Sequence, residues 1–176
     1  MADILCLKGD AAFSAFRLQR LQGRLGAAVS DIESVVADYW HIVAQKRALN
    51  ADERAKLTTL LEEKAAGVDV GELFLVAPRI GTISPWSSKA TDIAWNCELD
   101  AIERIERAIA FHVVVKNKRP LTADAKTTVA GLLHGAYRQR DLFGRPCRRC
   151  LHAAYHAREQ LAVGVGQRGA YVIGVC

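Results

Sequence analysis

The 176-residue chain has the length of one domain with room for an extension, and about half of it is hydrophobic, enough for a real core. No apolar run approaches the roughly 18 residues that would span a bilayer. The segment Met1–Asp10, acidic at Asp3, does not read as a secretory signal, so a cytosolic protein is expected. The net charge of +5 argues against a nucleic-acid-binding domain once its distribution is seen. Residues 1–134 hold 17 Lys and Arg against 17 Asp and Glu, and residues 135–176 hold seven Arg against Asp141 and Glu159. The five cysteines are odd in number, which predicts free thiols and no disulfide framework.

In chain order, residues 3–7 read as a short strand. A helix follows from Ala11 to about Ala27, with Phe13, Phe16, Leu18, Leu21 and Leu25 at helical spacing, Arg17, Arg20 and Arg24 opposite, and Gly26 as its stop. Ile32 to Ala44 is rich in β-branched and aromatic residues and fits a long strand. Asn50 and Glu53 have the spacing of a capping box, which predicts a helix to about Gly67. Glu72 to Ala77 reads as a buried strand, a loop from Arg79 to about Ser87 follows, and a helix is expected from Ser88 to about Cys97. Ile102 to Lys116 reads as a strand with Ile109, Phe111, Val113 and Val115 on one face, and Thr122 caps a last helix through about His134. The order β-α-β-α-β-α-β-α divides into two similar halves. It predicts an α+β fold of two strand–helix units sharing one antiparallel or mixed sheet, with a doubly wound α/β fold as the alternative.

The segment from Ala77 to Cys97 carries the chemistry. Gly81 and Pro85 set the course of a loop, Thr82, Ser84, Ser87 and Ser88 supply hydroxyls, and Arg79 and Lys89 supply cations. Backbone N–H groups opening a helix near Ser88 favour an anion, so the loop is chemically suited to a phosphate or carboxylate. Equally, the hydroxyls can cap the helix while Trp86 packs beneath the loop. Both readings stand at this point.

The run Pro78-Arg79-x-Gly-Thr-Ile-Ser-Pro-Trp-Ser-Ser-Lys-Ala-Thr-Asp-Ile-Ala-x-Asn-Cys97 resembles a signature in the N-terminal, PurS-like domain of large phosphoribosylformylglycinamidine synthases (the PurL type). Ser14 to Arg17, Ala37 to His41, Ile105 to Ala110 and Leu121 to Asp124 resemble flanking segments, and the resemblance covers about residues 2–134. Ala108 and Glu98 stand where the family usually has glycine. The resemblance implies a part of a purine-biosynthesis ligase that makes the amidine of formylglycinamide ribonucleotide with ATP, Mg²⁺ and glutamine-derived ammonia. It implies as partners, in cis, a synthetase region and a glutaminase with a Cys-His-Glu triad. On that footing this chain holds no ATP or Mg²⁺ site, no cofactor and no catalytic residue, and is expected to be inactive alone. Arg79, Thr82, Ser84, Trp86, Ser87, Ser88 and Lys89 are its candidates for a substrate-proximal or domain-interface loop. The alternative is a stand-alone PurS-like assembly or binding module with a basic tail.

Residues 135–176 lie beyond the resemblance and are expected to form an atypical, irregular Arg- and Cys-rich tail. Their composition is that of a GC-rich gene read out of frame, which predicts a frameshift near codon 135 and with it a truncation. Cys147, Cys150, His152 and His156 form the competing metal reading, although His152 follows Cys150 too closely for a zinc-finger span. Elsewhere, His41 is expected in the core or at its edge, Cys6 in the core, His112 facing solvent, and the Glu103-Arg104-x-Glu106-Arg107 cluster on a solvated face or a domain contact.

Overall fold

The computed structural model describes residues 3–65, 71–78, 81–116, 119–138, 146–147 and 171–175. Its elements are β1 (Asp3–Ala11), α1 (Ala15–Ala28), β2 (Ile32–Gln45), α2 (Ala51–Leu60), β3 (Glu72–Pro78), β4 (Gly81–Thr82), α3 (Pro85–Asn96), β5 (Ile102–Val115), α4 (Ala123–Arg138), β6 (Pro146–Cys147) and β7 (Tyr171–Val175). The main sheet has the order β1-β2-β5-β3-β7. Its first four strands are antiparallel to their neighbours and β7 runs parallel to β3; β4 and β6 form a second, two-stranded sheet. This is the α+β arrangement of two units, and the antiparallel pairing rules out the doubly wound alternative.

Each unit is a short strand, a helix, a 14-residue strand and a second helix: β1-α1-β2-α2, then β3-α3-β5-α4. Helix length explains the connection. β1 stops opposite Asp38, six residues short of the start of β2 at Ile32, a span of about 20 Å. The 14 residues of α1 rise about 21 Å and carry the chain to that point before it turns back. In the second unit the pairing of β3 with β5 stops at Val76 opposite Ile109, and α3 packs on the part of β5 that β3 leaves unpaired.

The long strands sort their side chains by parity. Val35, Ala37, Ile109, Phe111 and Val113 face a core closed by Leu21 and Leu25 of α1 and by Val129 and Leu133 of α4. Further along the same face, Val43 and Ile105 meet Leu57 and Leu61 beside α2 and Ala94 of α3. Trp40, Ile42, Leu73, Leu75, Ala77, Ala108 and Ala110 form a cluster on the opposite face, which no described helix residue joins. Cys6 packs at its margin, part-buried, and burial pushes its thiol pKa up to about 12. The expected boundaries shift. β1 runs on to Ala11, so α1 begins at Ala15 and not at Ala11, and it passes through Gly26 to Ala28. α2 ends at Leu60, short of the expected Gly67, and α4 extends past His134 to Arg138. The Asn50–Glu53 capping box is formed as expected, with both reciprocal bonds (2.8 and 2.9 Å).

Candidate functional site

The expected loop-then-helix boundary is corrected here. α3 begins at Pro85, three residues before Ser88, with Ser84 as N-cap. Proline at the first helical position lacks only an N–H that the helix would leave unmet, so Pro85 opens the helix and does not steer a loop. The shift places Ser87 and Ser88 in the first turn. Ser87 and Thr91 then fall four residues apart, on one face, with Trp95 four further on.

That face is fastened to β5. Ser87 Oγ, fully buried, donates to the Ile105 carbonyl (2.6 Å), and Thr91 Oγ1 accepts from the Ile105 N–H (3.0 Å). Trp95 Nε1 donates to the Ile102 carbonyl (2.9 Å). The pairing with β3 ends at Ile109, so Ile105 lies where the sheet has lost a neighbour. The helix side chains supply the partners that a strand would have given, as buried backbone polar groups require.

The N-cap extends the fastening to charged groups. Ser84 Oγ accepts from the Ser87 N–H (3.0 Å) and donates to Glu106 Oε1 (2.9 Å). Glu106 is only 4% exposed and also takes Arg104 Nη2 (3.2 Å) and the Arg107 N–H (3.0 Å). Arg104 Nε donates to Ser87 Oγ (3.1 Å). The Glu103–Arg107 charge cluster is therefore not simply a solvated face. The N-cap of α3 reaches Glu106, whose buried carboxylate is met by one cation and two neutral donors.

On the helix-covered side, Arg107 lies over two rings, with Cζ 4.2 Å from the Tyr39 centroid and 4.6 Å from that of Trp86. The His41 ring stacks on Trp86 at 5.4 Å and 9°. His41 is buried as expected, its Nδ1 without a partner among the described residues. Burial, then the nearby Arg107 charge, lowers its pKa to about 4. His112, expected to face solvent, is 2% exposed. Its parity places it away from Ile109 and Phe111, but the second face of the sheet is buried too.

Of the seven candidate residues, Ser84, Trp86 and Ser87 thus converge on the α3–β5 contact. Ser88 and Lys89 are exposed on the first turn of α3. Thr82 pairs through its backbone with Pro146, and Arg79 lies outside the described residues. Cys150, His152 and His156 of the metal reading also lie outside them, and of Cys147 only the backbone is described. No group of three or more His, Cys, Asp and Glu side chains is placed to hold a metal ion among the described residues. Tyr39, His41, Thr91, Arg104, Glu106 and Arg107 were not among the candidates. The one available signal was the Ser87–Thr91 spacing, which reads only once the helix start is placed correctly.

The architecture defines a class: two strand–helix–strand units share one sheet, and the most distinctive segment of the sequence fixes a helix where that sheet loses a strand. The chain belongs to the formylglycinamide ribonucleotide amidotransferase N-terminal family, whose model matches residues 38–143, more than half of its length. It is thus a part of the formylglycinamidine ribonucleotide synthase of purine biosynthesis. The match takes in Tyr39, His41, the whole segment from Pro78 to Cys97, and the Glu106–Arg107 pair. No described helix is long and apolar enough to cross a membrane.

Proposed function

We propose that the domain serves the synthase as a docking scaffold and contributes no catalytic residue of its own. The observation that carries this reading is the use made of the signature hydroxyls. Ser84, Ser87 and Thr91 are committed to the cap of α3, to Glu106 and to the backbone of β5. Ser84 and Ser87 each both donate and accept within the protein, and a hydroxyl so engaged has little left to offer a substrate. The segment that looks most like an anion loop is used to hold helix to strand, and its exposed remainder, Ser88 and Lys89, is available to a neighbouring domain.

On this reading the reaction belongs to the rest of the enzyme. The synthetase region binds ATP and Mg²⁺ and acts on formylglycinamide ribonucleotide, and the glutaminase supplies ammonia. The present domain packs against both in the cytosol, as part of a ligase. The test is reconstitution. The chain is mixed with a synthetase–glutaminase fragment of a family enzyme that lacks its N-terminal domain. Co-elution and restored amidine formation are expected, with no turnover by the chain alone. Turnover by the isolated chain, or failure to associate, would overturn the proposal. Lys89→Ala in a full-length family enzyme separates scaffold from substrate contact. A scaffold lysine leaves KM for the ribonucleotide unchanged, and a rise in that KM would place Lys89 at the substrate.

A further inference from the structure

Arg107 differs from the other part-buried arginines of the described residues. Arg54 holds Glu63 at 2.8 Å and Arg104 holds Glu106 at 3.2 Å. Arg107, also part-buried, has no carboxylate partner among the described residues. Its sequence neighbour Glu106 bonds its backbone N–H, while that carboxylate is occupied by Ser84 and Arg104. What the guanidinium has instead is two aromatic rings. Ring contacts satisfy the flat face of a guanidinium and leave its N–H edge unmet. A fork oriented by its faces and open at its edge is arranged for two parallel hydrogen bonds to one planar oxyanion.

The charge of the surroundings selects among oxyanions. His41, the other titratable group stacked on Trp86, is neutral near pH 7, because burial and Arg107 hold its pKa at about 4. The ring cluster therefore carries one positive charge, which matches a carboxylate better than a phosphate dianion.

We infer that Arg107, oriented by Tyr39 and Trp86, is a recognition site for one carboxylate, supplied by an Asp or Glu side chain of the surface on which this domain docks. The inference rests on the docking proposal only for the owner of the carboxylate. The site itself is testable on the chain alone.

The experiment follows the arginine Nε–H and tryptophan indole signals of the ¹⁵N-labelled chain by NMR at pH 7. Sodium acetate, and separately inorganic phosphate, replaces chloride at constant ionic strength. Acetate is expected to shift one arginine and one indole signal saturably. Arg107→Lys keeps the charge but loses the fork, and Arg107→Gln loses both; each is expected to weaken acetate binding by about tenfold or more. Should either variant fail to fold, Trp86→Phe, which keeps a ring over the guanidinium, gives a partial loss in the same titration. Shifts that follow ionic strength without saturating, or acetate binding unaltered in the folded variants, would overturn the inference. Phosphate binding tighter than acetate would overturn the carboxylate assignment. None of these results depends on reconstitution, so failure of the site and failure of docking remain distinct.

Discussion

The Ser84 hydroxyl joins two elements at once: it accepts the Ser87 N–H at 3.0 Å as the cap of α3 and donates to the buried Glu106 carboxylate of β5 at 2.9 Å. Ser84→Ala removes both bonds. Loss of a cap costs about 0.5–2 kcal/mol, and a buried acceptor left short of a donor costs about 1–3 kcal/mol. Because Glu106 keeps Arg104 and a backbone N–H, the combined loss is expected near 2 kcal/mol. Urea unfolding of the two proteins measures it. Ser84→Asp distinguishes the two roles. Aspartate is as good a cap as serine in isolation, but here it places a second carboxylate beside Glu106. It is expected to give no rescue, and a Ser84→Asp protein as stable as the wild type would show that the Glu106 bond contributes little.

What could be read in the sequence divides along the same line, between local and non-local causes. The Asn50–Glu53 box was legible because both of its bonds close within three residues, and β2 was legible because its β-branched run has no helical use. The start of α3 is less legible, because Pro85 resembles a loop residue although it occupies the first turn of the helix. The burial of Glu106 had no local signal at all. Glu-Arg-x-Glu-Arg has the pattern of a wet surface, yet Glu106 is buried and bonded by Ser84, a partner 22 residues away that only the fold supplies. For His112 the sequence specifies the parity but not the environment. Alternation tells which residues share a face, and not whether the second face is covered.

Glu98 follows the cap of α3 with φ of +63°, in the left-handed region that favours glycine. The family resemblance already marks this position as one where glycine is usual, and the backbone gives the reason. A side chain there costs about 1 kcal/mol. The ion pair that Glu98 makes with Lys56 at 3.3 Å is largely exposed and offsets little of it. Glu98→Gly is therefore expected to stabilise the protein by up to about 1 kcal/mol, a rise in Tm of about 2–4 °C. Glu98→Ala, which keeps the Cβ, should give no such gain. Equal stabilisation by both substitutions would locate the cost in the carboxylate and not in the backbone.

His41 gives the protein a pH dependence of calculable sign. Its folded pKa of about 4 lies below the ordinary histidine value of 6.5, so between these values the unfolded chain takes up a proton that the folded chain refuses. Stability from this source is complete above pH 6.5 and falls as pH falls toward 4, by at most about 1.4 kcal/mol per pH unit. Glu53, bonded by Arg47 and by the Asn50 N–H, has its pKa lowered to about 2 from 4.5, and its contribution is lost only below pH 4.5. The two windows barely overlap. Unfolding free energies from pH 7 to 4.5 should fall less steeply in His41→Asn, even if that variant is less stable throughout. An unchanged slope would assign the titration to another group.

The glycines allow opposite expectations from one substitution. Gly71 enters β3 with φ of +113°, and a Cβ built there would sit 2.6 Å from the Val113 carbonyl oxygen of β5. That contact is with backbone held in the sheet, so no side chain can swing aside, and the conformation itself disfavours an L residue. Gly71→Ala is expected to cost about 2 kcal/mol or more, by strain and by displacing the first residues of β3 from β5. Hydrogen exchange should locate the damage at Leu73 and Phe74, which β5 otherwise protects through His112 and Phe111. Gly23 is the counterpart. It lies in the interior of α1, and a Cβ there would meet nothing within 4 Å. Gly23→Ala gives up no contact and reduces the freedom of the unfolded chain, so it should stabilise by about 0.5–1 kcal/mol. A destabilised Gly23→Ala would mean that some partner needs that face of α1 bare, and a neutral Gly71→Ala would mean that β3 does not enter the sheet at this angle.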